Sequence, residues 1–86
     1  VTVLRLRREN GYLPDLDELS QAAARGVRMI CLNNPNNPTG TLIPSDMLKD
    51  IVTIARQSGA YLFCDEVYSG VSIDGALAPS VCVLYE

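Results

Sequence analysis

The amino-acid sequence predicts an α/β fold with parallel strands and crossover helices. Two stretches have apolar residues at helical spacing, the first after Asp15 and the second after Ser45. Each is followed by a short apolar run, at residues 27–33 and 60–67, and the chain opens with an alternating run at residues 1–7. The resulting order of strand, helix, strand, helix and strand is typical of parallel sheets in which helices make the crossover connections.

The first strand and the first helix are predicted from local patterns. Residues 1–7 alternate leucine with arginine, which is the pattern of a strand with one solvated face. Asp15 can cap the helix that follows, and Glu18, three residues later, completes a capping-box pair. Gly26 is placed to end this helix. Its apolar positions are Leu16, Leu19 and Ala23.

The second half of the chain repeats this order. Residues 27–33 form an apolar run with little polar alternation, which predicts a strand covered on both faces. Ser45 can cap a helix that runs to about Ser58, and residues 60–67 form a second buried strand that ends in acidic residues. The remainder, residues 68–86, has loop chemistry with at most a short turn of helix near its end. The apolar stripe of the second helix comprises Met47, Leu48, Ile51, Val52, Ile54 and Ala55, and the polar stripe comprises Asp46, Lys49, Asp50, Thr53, Arg56 and Gln57.

The composition is that of one small globular domain. The chain has 86 residues, of which 48% are hydrophobic and 20% are charged. No apolar run approaches the roughly 20 residues that cross a bilayer, so we expect no membrane span. A net charge of −3 disfavours nucleic acid as a partner. The sequence has no signal-peptide pattern at its start. Because the chain lacks an initiator methionine and opens directly in what looks like a strand, we expect it to be a piece of a longer protein.

The cysteines and the absence of histidine exclude several kinds of site. Cys31, Cys64 and Cys82 lie far apart, and an odd count without C-x-x-C spacing fits neither a disulfide framework nor a zinc site. We interpret Cys31 and Cys64 as small core residues and expect a cytoplasmic protein. The sequence contains no histidine, which excludes Ser-His-Asp and Cys-His catalysis within this chain.

Polar clusters follow both predicted buried strands. The segment NNPNNPTG occupies residues 33–40, and DEVY occupies residues 65–68. Taken singly, an Asn-Pro loop is a common turn, an aspartate at a strand end can be a cap, and a tyrosine can simply pack at the sheet edge. Ligands of open α/β sheets bind beyond the carboxyl ends of the strands, so two polar clusters at one edge favour a site.

Together the two motifs resemble those of the class I/II aminotransferases, which depend on pyridoxal 5'-phosphate (PLP) and share the aspartate aminotransferase fold. The resemblance extends over the whole chain, including NGYLPDLDEL before the first motif and GALAPSVCVLYE after the second. It implies that residues 1–86 are part of a PLP-binding large domain.

The resemblance also assigns three cofactor-binding residues. Asn37 would donate its side-chain amide to the phenolic oxygen of the cofactor, Tyr68 would donate its hydroxyl to the same oxygen, and Asp65 would sit against the pyridine nitrogen. A carboxylate there raises the pKa of the ring nitrogen, and the protonated ring is the better electron sink. The family pattern further implies a cis peptide bond between Asn37 and Pro38.

No catalytic residue is expected within this chain, and no metal. The Schiff-base lysine of the family lies downstream of a DEVY-type segment, and the phosphate cup and the arginine that binds the substrate carboxylate have no matching position here.

The function implied by the resemblance is transfer of an amino group between an amino acid and a 2-oxo acid, by a protein that is usually a homodimer. Three alternatives stay open at this point. The same residues serve β-elimination lyases and decarboxylases of this fold. A transcription regulator can use the fold as a non-catalytic effector-sensing domain, and a small α/β binding domain needs no cofactor at all. The sequence leaves the identity of the amino acid open.

Overall fold

Two parallel strands connected by a helix form the centre of the structure. The computed structural model describes residues 1–71, 75–77 and 79–84. After a short 3-10 turn at Arg8–Asn10, the elements in chain order are α1 (Leu16–Ala24), β1 (Met29–Asn33), α2 (Ser45–Ser58), β2 (Tyr61–Asp65) and α3 (Val81–Leu84). The predicted α/β class is therefore confirmed.

The pairing of β1 with β2 determines where the polar motifs lie. The strands run parallel and pair residue by residue, from Met29 opposite Tyr61 to Asn33 opposite Asp65. One more backbone bond continues the ladder, because the N–H of Asn34 donates to the carbonyl of Asp65 at 2.9 Å. Both strands therefore end at the same edge of the sheet, which we call the carboxyl edge.

Helix α1 begins at its predicted cap. Oδ1 of Asp15 accepts hydrogen bonds from the backbone N–H groups of Asp17 at 2.9 Å and Glu18 at 3.0 Å. The second half of the predicted capping box is not formed, because the Glu18 carboxylate accepts instead from the Arg7 guanidinium at 2.7 Å. Gly26 follows the helix with φ of 90°, in the left-handed region where a glycine is favoured.

Helix α2 differs from the prediction at its first residue. Pro44, not Ser45, holds the N-cap position, and no side chain caps the helix. The carbonyl of Pro44 accepts from the N–H of Leu48 at 2.9 Å, which is the first hydrogen bond of the helix. The predicted apolar stripe of α2 faces inwards, with Leu48 and Ile51 both at 0% exposure.

The core lies on one face of the sheet, and this corrects two predictions. Its buried cluster joins α1, β1 and α2 through Leu19, Ile30, Ile43, Leu48, Ile51 and Ala55. The opposite face exposes Met29, Cys31, Tyr61 and Phe63, so neither strand is covered on both faces. Cys31 is consequently exposed and Cys64 half-buried, which makes the interpretation of Cys31 as a core residue wrong.

Residues 1–7 are not a strand, contrary to the prediction. Within the described residues, β1 and β2 are the strands that pair, and residues 1–7 form no ladder with either. An alternating pattern marks an extended, half-buried chain, but a strand also requires a hydrogen-bonding neighbour. Leu4 still packs against the core, while Val1 and Val3 are exposed.

The tail contains the short helical turn that was predicted, α3. The predicted loop also includes residues 72–74, 78 and 85–86, which lie outside the described residues. In the described part of the chain, no helix has both the length and the apolar character needed to span a bilayer.

Candidate functional site

The three predicted site residues lie at the carboxyl edge. Asn37 belongs to the loop that follows β1, residues 34–40, which we call the asparagine loop. Asp65 is the last residue of β2, and Tyr68 lies in the turn that follows. The structure brings two of them into contact, since Nδ2 of Asn37 donates to the hydroxyl of Tyr68 at 3.4 Å. Asp65 is joined to Tyr68 through the intervening turn.

The asparagine loop is closed by its own hydrogen bonds. The N–H of Asn36 donates to the carbonyl of Thr41 at 2.9 Å, and the N–H of Gly40 donates to the carbonyl of Asn36 at 2.8 Å. Gly40 has φ of 71°, which suits glycine. The predicted cis bond between Asn37 and Pro38 is confirmed, and a second cis bond precedes Pro35.

Asn34 attaches this loop to the core. Its side chain is at 0% exposure, and its Oδ1 accepts from the N–H of Ile43 at 2.9 Å. Its Nδ2 is buried and has no hydrogen-bond partner within the described residues. Asn34 therefore closes the base of the loop, a structural role that sequence reasoning missed.

Asn33 connects the two halves of the site and was also missed. Its Nδ2 donates to the carbonyl of Asp65 at 3.3 Å, and its Oδ1 accepts from the N–H of Asn37 at 2.6 Å. The signal that could have revealed both roles is the asparagine doublet at the end of a strand. Successive strand residues face opposite sides, so one asparagine turns towards the core and its neighbour towards the open face.

The turn after β2 is held by two carboxylates. Oδ1 of Asp65 accepts from the N–H of Val67 at 3.0 Å, which bends the chain towards Tyr68. Oε1 of Glu66 accepts from the N–H of Val81 at 2.7 Å and so ties this turn to α3. Glu66 therefore has a structural role in this turn.

Cys64 lies beside this turn and is kept protonated. Burial, together with the neighbouring Glu66 carboxylate, raises the pKa of its thiol to about 11. At neutral pH this thiol is a poor nucleophile, because the reactive form of a cysteine is the thiolate.

A groove of about 950 Å³ runs beside the site. Asn33, Asn36 and Asp65 line one end, and most of the remaining lining is apolar, from residues 1–6 and β1. Residues of α1 also line it, whereas Asn37 and Tyr68 do not, so the groove does not enclose the paired donors.

The chemistry of these side chains fits a ring that carries an oxygen acceptor and a cationic nitrogen. Two donor atoms 3.4 Å apart can both reach one oxygen, given hydrogen bonds of about 2.8 Å. Asp65 adds a carboxylate at the same edge, and Asn37, Asp65 and Tyr68 are all exposed. The described residues contain no group of three side chains that could hold a metal ion.

Comparison with known proteins decides the family. The sequence model of the family described as aminotransferase class I and II matches residues 1–85. The chain belongs to this family. The predicted resemblance to the class I/II aminotransferases is therefore confirmed.

Individual relatives agree with this assignment. The chain is 40% identical over 76 residues to LL-diaminopimelate aminotransferase 2 of Nostoc, covering 88% of this chain and 20% of that protein. It is 43% identical over 63 residues to an aspartate aminotransferase of Pyrococcus horikoshii, covering 73% of this chain and 16% of that protein. The chain thus spans about a fifth or less of the relatives that it matches.

A solved structure confirms the fold. The chain superposes on a PLP-dependent aminotransferase from Streptococcus suis with a TM-score of 0.85 and 39% sequence identity. The match covers 99% of this chain and 22% of that structure.

Proposed function

We propose that residues 1–86 are a segment of the PLP-binding large domain of an aminotransferase, which transfers an amino group between an amino acid and a 2-oxo acid. The family match and the share of each relative that the chain covers support this proposal. The observation that carries it is the contact between Asn37 and Tyr68 at the same edge of the sheet as Asp65.

The three residues of the site have complementary roles in this proposal. Asn37 and Tyr68 hold the phenolic oxygen of PLP through two donors, and Asp65 holds a proton on the ring nitrogen through its negative charge. When bound, PLP supplies an electron sink for the charge that develops at the substrate α-carbon. Asn33 and Asn34 fix the asparagine loop from which Asn37 projects.

The covalent attachment of the cofactor is assigned to a residue outside this chain. Lys49 is the single lysine of the sequence, and its side chain is 59% exposed on the polar stripe of α2. An exposed ammonium lacks the desolvation that activates Schiff-base lysines, so we place that lysine downstream. The phosphate cup and the arginine for the substrate carboxylate are likewise assigned elsewhere. We further propose that the full-length protein is a cytoplasmic homodimer.

Transamination is favoured over the other reactions of this fold. The relatives named above are all aminotransferases, whereas their printed substrates, LL-diaminopimelate and aspartate, differ. The names of these relatives therefore support the reaction type, and the choice of amino acid is assigned to residues outside the chain.

The proposal is tested on the full-length protein. We expect it to bind PLP with a visible absorption band and to release a 2-oxo acid from at least one of LL-diaminopimelate, aspartate, glutamate and alanine. Bound PLP with release of ammonia or carbon dioxide in place of transamination would assign a lyase or a decarboxylase. A protein that binds no PLP would overturn the proposal.

A further inference from the structure

Asn33 spans the two strand ends with a single side chain. On one side, its Nδ2 donates to the carbonyl of Asp65 at 3.3 Å. On the other side, its Oδ1 accepts from the N–H of Asn37 at 2.6 Å, the shortest hydrogen bond at this edge among the described residues. The two contacts join the end of β2 to the point of the asparagine loop that carries the Asn37 amide.

The contact with Asp65 holds the Asn33 side chain against the end of β2. The carbonyl of Asp65 also accepts from the N–H of Asn34 at 2.9 Å, so it is already held by the strand ladder. Asn33 itself pairs with Asp65 in the register of the two strands. Because the Asn33 side chain is bonded to the end of β2, it fixes the asparagine loop relative to that strand.

The contact with Asn37 acts close to its functional amide. The backbone nitrogen that Asn33 holds belongs to the same residue whose Nδ2 meets the hydroxyl of Tyr68 at 3.4 Å. Tyr68 in turn follows Asp65 through the turn that Asp65 itself stabilises. The Asn33 side chain therefore closes a ring of contacts that runs through Asp65, Tyr68 and Asn37.

We propose that Asn33 is a positioning residue, which sets the Asn37 amide in register with Asp65 and Tyr68. This inference rests on the proposed function, because the three residues are taken as the ring contacts of PLP. Asn33 does not itself touch the cofactor in this proposal. Its effect reaches the cofactor through the Asn37 side chain.

Asn36 provides a matched control in the same loop. Its Oδ1 accepts from the hydroxyl of Thr39 at 2.7 Å and from the N–H of Thr39 at 3.4 Å. These side-chain bonds stay within the loop and do not reach β2. Replacing Asn36 therefore removes a similar number of side-chain contacts without removing the link to the sheet.

The experiment compares Asn33→Ala, Asn36→Ala, Asn37→Ala and the double variant of Asn33 and Asn37 in the full-length protein. The readouts are the dissociation constant for PLP and the pH midpoint of the visible absorption of the bound cofactor. Donors to the phenolic oxygen favour its deprotonated form, so losing their alignment raises the midpoint. We expect Asn33→Ala to raise this midpoint and to weaken PLP binding roughly threefold to tenfold, the range for one misplaced hydrogen bond.

The coupling between the two asparagines separates positioning from a purely structural role. Once Asn37 is alanine, the further change Asn33→Ala should leave the midpoint where it is, since no amide remains to be positioned. An equal shift in both backgrounds, no shift at all, or an equal shift from Asn36→Ala would overturn the inference. Should Asn33→Ala fail to fold, Asn33→Ser replaces it, because serine stays polar but is too short to reach both partners.

The same measurements distinguish this inference from the proposed function. If the unmodified protein binds no PLP, both are overturned together. If it binds PLP with a normal visible band and Asn33→Ala changes neither readout, the proposed function stands and the positioning role is wrong.

Discussion

Asp65 has both a turn contact and a charge, and two substitutions separate them. Its Oδ1 accepts from the N–H of Val67 at 3.0 Å, and its negative charge is proposed to act on the ring nitrogen of the cofactor. Asparagine keeps an oxygen for the turn and removes the charge, whereas alanine removes both. In the full-length protein, Asp65→Asn therefore tests the charge alone.

The expected loss follows from the charge and its surroundings. Two opposite unit charges about 4 Å apart attract by about 1 kcal/mol in water and by about 4 kcal/mol near a protein surface. Asp65 is exposed in this chain, and a ring bound against it displaces water, so the larger figure applies. Since about 1.4 kcal/mol corresponds to a tenfold change in rate, we expect turnover to fall roughly a hundredfold to a thousandfold. Asp65→Ala should in addition lower the free energy of unfolding by about 1 kcal/mol, because the turn loses its acceptor.

The assay measures turnover with saturating amino donor, PLP content and thermal unfolding for each variant. Glu66→Gln is the matched control, because it removes the same charge one residue along and keeps an oxygen for the N–H of Val81. We expect this control to stay within about threefold of the unmodified protein. Turnover of Asp65→Asn within about threefold of the unmodified protein, or an equal loss in Glu66→Gln, would refute the assigned role.

Three further predictions concern single side chains. Lys49 of the 86-residue chain should stay unlabelled when the chain is treated with micromolar PLP and then with borohydride, because its side chain is 59% exposed. A stoichiometric pyridoxyl group on Lys49 in peptide mass spectra would contradict this. Asn34→Ala should lower the free energy of unfolding of the full-length protein by about 1–3 kcal/mol, because the buried N–H of Ile43 loses its acceptor. Urea titrations measure this change, and an unchanged unfolding midpoint would exclude it. The pKa of Cys64, raised to about 11 chiefly by burial, leaves the thiol protonated at lower pH. Its alkylation by iodoacetamide should therefore accelerate about tenfold per pH unit between about pH 8 and 10, and a plateau below about pH 9 would contradict the raised pKa.

Local chemistry made the helices predictable. Asp15 caps α1 through its own oxygen, and Gly26 ends the helix through its backbone freedom, so both signals are contained in a few neighbouring residues. The cap of α2 was misplaced by one position because serine is a preferred N-cap residue, whereas here the helix begins one residue earlier, at Pro44, without any side-chain cap.

Burial and strand pairing were less predictable because they depend on distant partners. An apolar run such as residues 27–33 indicates a strand, but its composition does not say how many of its faces are covered. Cys31 is exposed for this reason, although both of its neighbours are apolar. Residues 1–7 have the alternation of a strand and lack a ladder, which no local pattern can supply.

The site could likewise be predicted where local signals were enough, and not where distant partners decide the role. The family resemblance pointed to Asn37, Asp65 and Tyr68, and the rule that parallel strands end at one edge predicted that they lie close together. The roles of Asn33 and Asn34 were not predicted, because they depend on the register of β1 against β2 and on the side to which each residue of the doublet turns. Their chemistry was visible in the sequence, but their partners were not.

The register that pairs Asn33 with Asp65 restricts where insertions and deletions can occur. One residue added to the ladder of β2 before Asp65 would turn that side chain to the helix-covered face, since neighbouring strand positions alternate. Two added residues would restore the face but displace Asp65 by about 6.6 Å along the strand, away from the asparagine loop. Changes in length are better tolerated before β1 or after the turn that contains Tyr68. A chimera that joins this chain to a relative should therefore place its junctions outside residues 29–68.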